Sequence, residues 1–239
     1  MTEPFLSIII PARNEERRLP STLEQVVHFI QESGLSSEVL VVVNASTDRS
    51  LEVASSFAAR HEIVRVLAED LPGKGRAVRK GMLAARGRYR FFADADLSMP
   101  IAEVRRFLPP AVDAPIAIAS REAPGAVRYN EPVYRHLTGR VFNTLIRWLV
   151  LPALQDTQCG FKMFRADVAE DLFRRQTLMG WSFDVELLYI ARRRGIPIVE
   201  IPIPWYFNPD SKVSVVRDSW RMFTDLLVIR RNGVRGVYD

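Results

Sequence analysis

Five short, largely apolar runs recur through the first 120 residues, and this repetition limits the possible folds more than any other feature. They occupy 6–10, 39–43, 63–67, 89–93 and 116–119. Being continuous rather than alternating, they predict strands of a parallel sheet that is covered on both faces. Between them, 22–32, 48–60, 74–86 and 102–112 carry helical spacing. Pro100 is placed to open the last of these helices, with Ser98 just before it as a cap. Repeated βα units predict right-handed crossovers and an α/β, Rossmann-like, mostly parallel sheet with helices on both faces.

The second half is less regular. A loop is expected over 122–132, a helix over 133–151, strands over 161–164 and 198–203, and helices over 183–193 and 215–231. No internal repeat or linker interrupts the 239 residues, so 1–239 is expected to be one domain. In it, 1–121 forms a first half and 122–239 a second. A single cysteine, Cys159, excludes a disulfide framework and points to a reducing compartment. The N-terminus lacks the basic and long apolar regions of a signal peptide, and no apolar run approaches a membrane span, so a cytoplasmic chain is expected.

In a doubly wound sheet, ligands bind beyond the carboxyl ends of the strands. Three polar segments converge there: Pro11-Ala12-Arg13-Asn14-Glu15, Asn44-Ala45-Ser46-Thr47-Asp48 and Asp94-Ala95-Asp96. Two carboxylates on alternate positions at a strand end can approach one hard divalent cation, such as Mg²⁺ or Mn²⁺, through oxygen. A cation there would bridge a diphosphate, for which no P-loop is present. The bland alternative is an exposed turn with two aspartates. Upstream, Leu71-Pro72-Gly73-Lys74-Gly75 leads into a helix whose first amides, with Lys74, are suited to an anion, or else form an ordinary helix start.

Taken together, SIIIPARNEE, VVVNASTD, LPGKGRAVRKGM and FFADADLSMP resemble a family 2 glycosyltransferase of GT-A fold. QDTQCGFKMF, WSFDVELLYIARRRGIPIVEIPIPW, DSKVS and SWRMFTDLLVIRRN are similar to dolichyl-phosphate β-glucosyltransferases and, more broadly, polyprenyl-phosphate glycosyltransferases. The resemblance spans roughly 6–232 and implies a nucleotide-sugar half followed by an acceptor half. It implies that Pro11, Ala12, Asn14 and Glu15 hold the nucleotide of a UDP-glucose donor, with Lys74, Asp94, Ala95 and Asp96 on the same side. Asp94 and Asp96 match residues that bind metal and diphosphate, and Ser98 stands where relatives offer a further metal ligand. Arg121 matches an arginine facing the donor phosphates. Asp156 and Lys162 match the acceptor side, and Lys212 a basic residue on a mobile loop. The pattern departs at Val43-Asn44, where relatives carry two acidic residues; Asn44 can still offer its amide to a uracil edge.

Such an enzyme would be an inverting transferase acting on a lipid phosphate, with Asp96, Arg121, Asp156, Lys162 and Lys212 carrying the chemistry. Asp156 either orients its neighbours or serves as base if the acceptor is a hydroxyl. Asp184 and Glu186, two apart on a helix, point to different faces, so one of them is expected at the site and Glu186 equally suits a buried arginine partner. The helices over 133–151 and 215–231 mix arginines with Tyr134, Phe142, Trp148, Trp220 and Phe223. That pattern suits either a core stripe or an interfacial helix, giving peripheral contact with the inner face of the membrane. The alternatives are a soluble family 2 enzyme with a hydroxyl acceptor and a nucleotidyltransferase. The net charge of +5 also admits a nucleic-acid module, but no recognition motif accompanies it.

Overall fold

The computed structural model describes residues 3–209 and 215–239, with the side chains at 135, 137–138, 141–142 and 215–219 left aside. The chain runs β1 (Leu6–Ala12), α1 (Leu19–Ser33), β2 (Ser37–Asn44), α2 (Ser50–Ala58), β3 (Val64–Glu69), α3 (Lys74–Ala84) and β4 (Tyr89–Ala93). It continues through β5 (Ile116–Ser120), β6 (Val127–Tyr129), α4 (Val133–Leu149), β7 (Phe161–Arg165), α5 (Ala166–Arg175) and α6 (Phe183–Arg193). β8 (Ile198–Pro202), β9 (Pro204–Tyr206) and α7 (Val215–Val234) complete it.

Seven strands form one sheet in the order β3-β2-β1-β4-β7-β5-β8, and β6 pairs with β9 beside it. All pairings in the large sheet are parallel except those of β7, which runs antiparallel between β4 and β5. Alternate residues of one strand feed opposite layers, as the period-two pleat requires. Ile8 and Ile10 of β1 join Val39, Val41 and Val43 of β2 in a layer closed by Leu23, Val26 and Phe57. Ile9, Leu40 and Val42 join the other, with Val78, Met82, Leu172 and Leu187. This double burial explains why these strands read as largely apolar runs rather than alternating ones.

Four local expectations change. The segment over 102–112 is not an α-helix but a 3-10 turn, Ile101–Phe107. Pro109 forces Leu108 into an extended conformation (φ −114°, ψ 154°), which stops the helix. Ser98 makes no side-chain cap; Pro100 takes that position. The loop expected over 122–132 contains β6, and the strand expected over 198–203 ends at Pro202 as β8, with a separate strand, β9, following at Pro204–Tyr206. α5 has no counterpart among the helices expected from the sequence; it links β7 to the α3 layer.

Candidate active site

The carboxyl ends of β1, β2, β4 and β5 open on the same edge, so the segments after them assemble without long loops. The first two are stitched together. Asn14, at φ 54°, accepts a hydrogen bond on Oδ1 from Thr47 N (2.8 Å), and its own N donates to Ser46 Oγ (3.0 Å). Glu15 N donates to Ser50 Oγ (2.7 Å), while the Glu15 carboxylate meets Arg18 at 3.2 Å. Pro11 is half-buried near the end of β1, and Ala12, its last residue, is buried in the core.

Asn44 behaves differently from expectation. It is buried, its Nδ2 donates to Leu71 O (2.7 Å), and its Oδ1 accepts from Gly73 N (2.9 Å). Its amide is thus committed to the turn before α3 rather than offered to a base. Neither are the first amides of α3 open to an anion: Gly75 N donates to Gly180 O (3.2 Å) and Arg76 N to Met179 O (3.3 Å). The 178–181 segment folds over that helix end, so the predicted anion cradle is already filled by carbonyls.

Lys74 turns its side chain the other way. Its ammonium lies 2.6 Å from Oδ1 and 2.8 Å from Oδ2 of Asp94. Burial opposes the lysine's charge, but Asp94, then Asp184 and Asp96, hold its pKa above the ordinary value. Asp94 N donates to Gly160 O (3.0 Å), and a Cβ on Gly160 would come within 1.8 Å of Asp94 Oδ2. Only glycine permits that approach. Asp96 Oδ1 accepts from Ser98 N (3.0 Å), and Ala95 O accepts from Thr22 Oγ1 (2.6 Å), which ties this turn to α1.

Asp94 and Asp96 are half-buried at a strand end and offer hard carboxylate oxygens. That donor set fits Mg²⁺ or Mn²⁺, which take one or two carboxylates and complete their shell from substrate and water. Among the described residues no group of three or more His, Cys, Asp or Glu side chains is placed to hold a metal unaided.

Beyond β5 stands a second carboxylate–cation pair. Arg121 donates from Nε to Asp156 Oδ2 (2.6 Å), from Nη2 to Oδ1 (2.9 Å), and from its backbone N to Oδ2 (3.0 Å). Gln158 N adds a further bond to Oδ1 at 3.3 Å. Burial alone would raise the Asp156 carboxyl, but the Arg121 charge and its hydrogen bonds hold it down to about 2. Burial likewise works against Arg121, and Asp156 overrides it, raising the guanidinium above its ordinary value. The Glu200 carboxylate, on β8, accepts from Gln155 N and Asp156 N (both 2.9 Å at the nearer oxygen) and fixes the loop beneath. Arg121 and Arg128 both approach Trp205, with guanidinium carbons 5.6 and 5.7 Å from its ring centre.

Cys159 lies within electrostatic range of Arg121, Asp156, Lys162 and Asp94, so the two pairs flank it. Its thiol, buried against Met99, is pushed up to about 12 by burial and is inert at neutral pH. Lys162 does not reach the open face. It is fully buried, with its ammonium 2.5 Å from Cys159 O and 3.2 Å from Asp184 Oδ2, over the Phe92 ring. Its partner Asp184 has a raised pKa: burial exceeds the pull of Lys162 and Lys74. Of the two acidic residues on α6, Asp184 is therefore the one directed toward the site. Among the described residues Glu186 meets no arginine; it accepts from Thr177 N, Leu178 N and the Tyr238 hydroxyl, a structural role. Lys212 lies outside the described residues.

Glu200, Trp205, Arg128, Trp181 and Thr22 were not singled out by sequence reasoning. Trp205 and Glu200 stand within the segment that carried the family resemblance, where only residue-by-residue geometry gives them a place.

Residues 7–173 match the model of glycosyl transferase family 2. The chain is 36% identical to a dolichyl-phosphate beta-glucosyltransferase of Drosophila melanogaster, over 94% of this chain and 74% of that one. It is 32% identical to the Saccharomyces cerevisiae dolichyl-phosphate beta-glucosyltransferase, over 99% and 77%. Among solved structures, the glucosyl-3-phosphoglycerate synthase of Mycobacterium tuberculosis with Mn²⁺, UDP and phosphoglyceric acid superposes with a TM-score of 0.65. That match is 19% identical and covers 95% of this chain and 78% of the other. With the carboxylate pair at the end of β4 and the mostly parallel sheet behind it, these likenesses make the chain a glycosyltransferase that belongs to glycosyl transferase family 2.

Proposed function

We propose that this enzyme transfers glucose from UDP-glucose to a polyprenyl phosphate of the dolichyl type, with inversion at the anomeric carbon. The observation that carries the choice of acceptor is the Arg121–Asp156 pair. A carboxylate that accepts four hydrogen bonds and titrates at about 2 is too weak a base to activate a hydroxyl near neutral pH. A phosphate acceptor arrives already ionised and needs orientation and charge compensation instead. Arg121, held by Asp156 and packed beside Trp205, is suited to both. The names of the Drosophila and yeast relatives point to the same acceptor.

On the donor side, Asp94 and Asp96, with Ser98 adjoining, would hold Mg²⁺ or Mn²⁺. When bound, the cation offsets the charge that gathers on the departing diphosphate. The stitched turns at Asn14, Glu15 and Thr47 border the nucleotide, and Lys74 adds a positive charge beside the diphosphate. The two halves, 1–121 and 122–239, act as one catalytic unit.

The acceptor's lipid tail implies work at a membrane surface. Trp148 on α4 is 84% exposed and Trp220 on α7 is 71% exposed, with Arg140, Arg147, Arg221, Arg230 and Arg231 exposed on the same helices. Basic and aromatic side chains mixed in this way suit an anionic interface. Among the described residues no helix is long and apolar enough to cross a membrane. A peripheral enzyme on the cytoplasmic face accommodates these features.

The test is a transfer assay with purified protein, radiolabelled UDP-glucose or GDP-glucose, and either a short polyprenyl phosphate or free sugars, in Mg²⁺ or Mn²⁺. Label should enter the lipid from UDP-glucose. Transfer to a free sugar with none to the lipid would return the assignment to a hydroxyl-acceptor enzyme.

A further inference from the structure

The Lys74–Asp94 pair sits where a divalent cation would have to bind, and its geometry says how that conflict is resolved. The ammonium contacts both Asp94 oxygens, at 2.6 and 2.8 Å, so the carboxylate is already neutralised. The two side chains are only 19% and 28% exposed, which limits replacement of the lysine by water. Asp94 cannot swing aside: Gly160 backs it closely, and its own N is bonded to Gly160 O. The backbone at Lys74 is also fixed. A Cβ on Gly73 would come within 2.3 Å of Met179 O, and the amides of Gly75 and Arg76 are bonded across to 179–180. What remains free to move is the four-carbon stem of Lys74, whose ammonium lies 5.3 Å from the Trp181 ring centre.

We propose that Lys74 is an internal counter-cation that holds Asp94 until a nucleoside diphosphate draws it away. The diphosphate presents an anion of higher charge than one carboxylate and supplies oxygens that complete the divalent cation's shell. Cation and nucleotide therefore bind together, and each binds poorly alone. Lys74 changes partner from Asp94 to the diphosphate, acting as a positioning residue that couples the two ligands. This inference rests on Asp94 and Asp96 being the cation site.

The experiment is a Mn²⁺ titration followed by electron paramagnetic resonance of the free ion, with and without UDP, on the wild-type chain, Lys74→Met and Asp94→Asn. Wild type should bind Mn²⁺ weakly alone and much more tightly with UDP. Lys74→Met should bind Mn²⁺ alone about 10- to 100-fold more tightly than wild type, the worth of one charge-assisted hydrogen bond. UDP should then tighten Mn²⁺ less in that variant than in wild type. Lys74→Gln, which keeps the reach and removes the charge, carries the same test if the methionine variant does not fold. If the charge-free variants bind Mn²⁺ alone with wild-type affinity while Asp94→Asn abolishes binding with UDP, the counter-cation role is wrong and the cation site stands. If Asp94→Asn binds Mn²⁺ with UDP as wild type does, the cation site itself is misplaced, and the inference falls with it.

Discussion

The edge of the sheet carries two carboxylate–cation pairs that differ in almost every respect that matters. Lys74 and Asp94 meet through a flexible stem and a compact ammonium, with one fixed partner and one mobile one. Arg121 and Asp156 meet through a planar fork, with two guanidinium bonds, two backbone amides on the same carboxylate, and Glu200 anchoring the loop from below. The first pair is built so that one member can leave. The second is built so that neither can. A charge that must travel with a departing leaving group suits the first design, and a charge that must orient an incoming anion suits the second.

The largest effect expected on the exchangeable side is that of Asp96→Ala. Turnover should fall by at least about a thousandfold while the melting temperature stays within a few degrees, because in the proposed mechanism Asp96 supports a ligand rather than the core. Excess EDTA should reproduce the loss, and Mg²⁺ or Mn²⁺ should reverse it. Full activity in the chelator would erase the contrast between the two pairs.

The locked side should respond first in stability. Asp156→Ala strands Arg121, whose side chain is only 24% exposed, and should cost about 3 kcal/mol in urea unfolding. A loss below about 1 kcal/mol would mean that the pair is looser than its four hydrogen bonds imply.

Acid titration sharpens the same point. The Asp156 carboxyl is depressed from the ordinary 3.8 to about 2 in the folded chain, which corresponds to roughly 2 kcal/mol. That stability is fully present above pH 4 and is lost as the pH falls through about 2. Between about pH 5 and 8 the group stays ionised, so the kcat profile should show no titration that Asp156→Asn removes. A base titrating near neutrality and lost in that variant would make Asp156 the general base and favour a hydroxyl acceptor.

The smallest effect expected concerns docking. Replacing Trp148 and Trp220 together by Ser should weaken binding to anionic vesicles about tenfold in sedimentation assays and leave UDP affinity unchanged. Unaltered vesicle binding would detach the acceptor side from the membrane.

The proposed donor side is more legible in the sequence than the proposed acceptor side, for a physical reason. Strand ends are marked by apolar runs, and the residues just past a strand must lie at the sheet edge, so Asn14, Asp94 and Asp96 can be placed by counting. Asn44 and Lys162 are misplaced when residue type is weighed above neighbourhood. Lys162 alternates with Phe161 and Met163 on a strand covered on both faces, opposite Phe92 and Ile118, so its side chain has to be internal. That inference needs the position of β7 between β4 and β5, which no local pattern gives. Glu200 escapes notice because a single glutamate in a strand gives no sign that it grips a loop more than 40 residues away.

Gly160 links the two pairs, because its carbonyl accepts from Asp94 N and its chain leads back within one short segment to Asp156. Only three residues separate Asp156 from Gly160, four steps that span roughly 13–14 Å of chain at full stretch. This spacer is a molecular ruler, with one end clamped by a guanidinium and the other threaded under Asp94. One inserted residue would either buckle the ruler or push β7 along by one place. The second outcome would turn Lys162 into the opposite covered layer and move Phe161 and Met163 together to the layer it left. Selection for active variants of randomised spacer length should therefore return the native length alone, and the failures should be lost as folded proteins and as catalysts together.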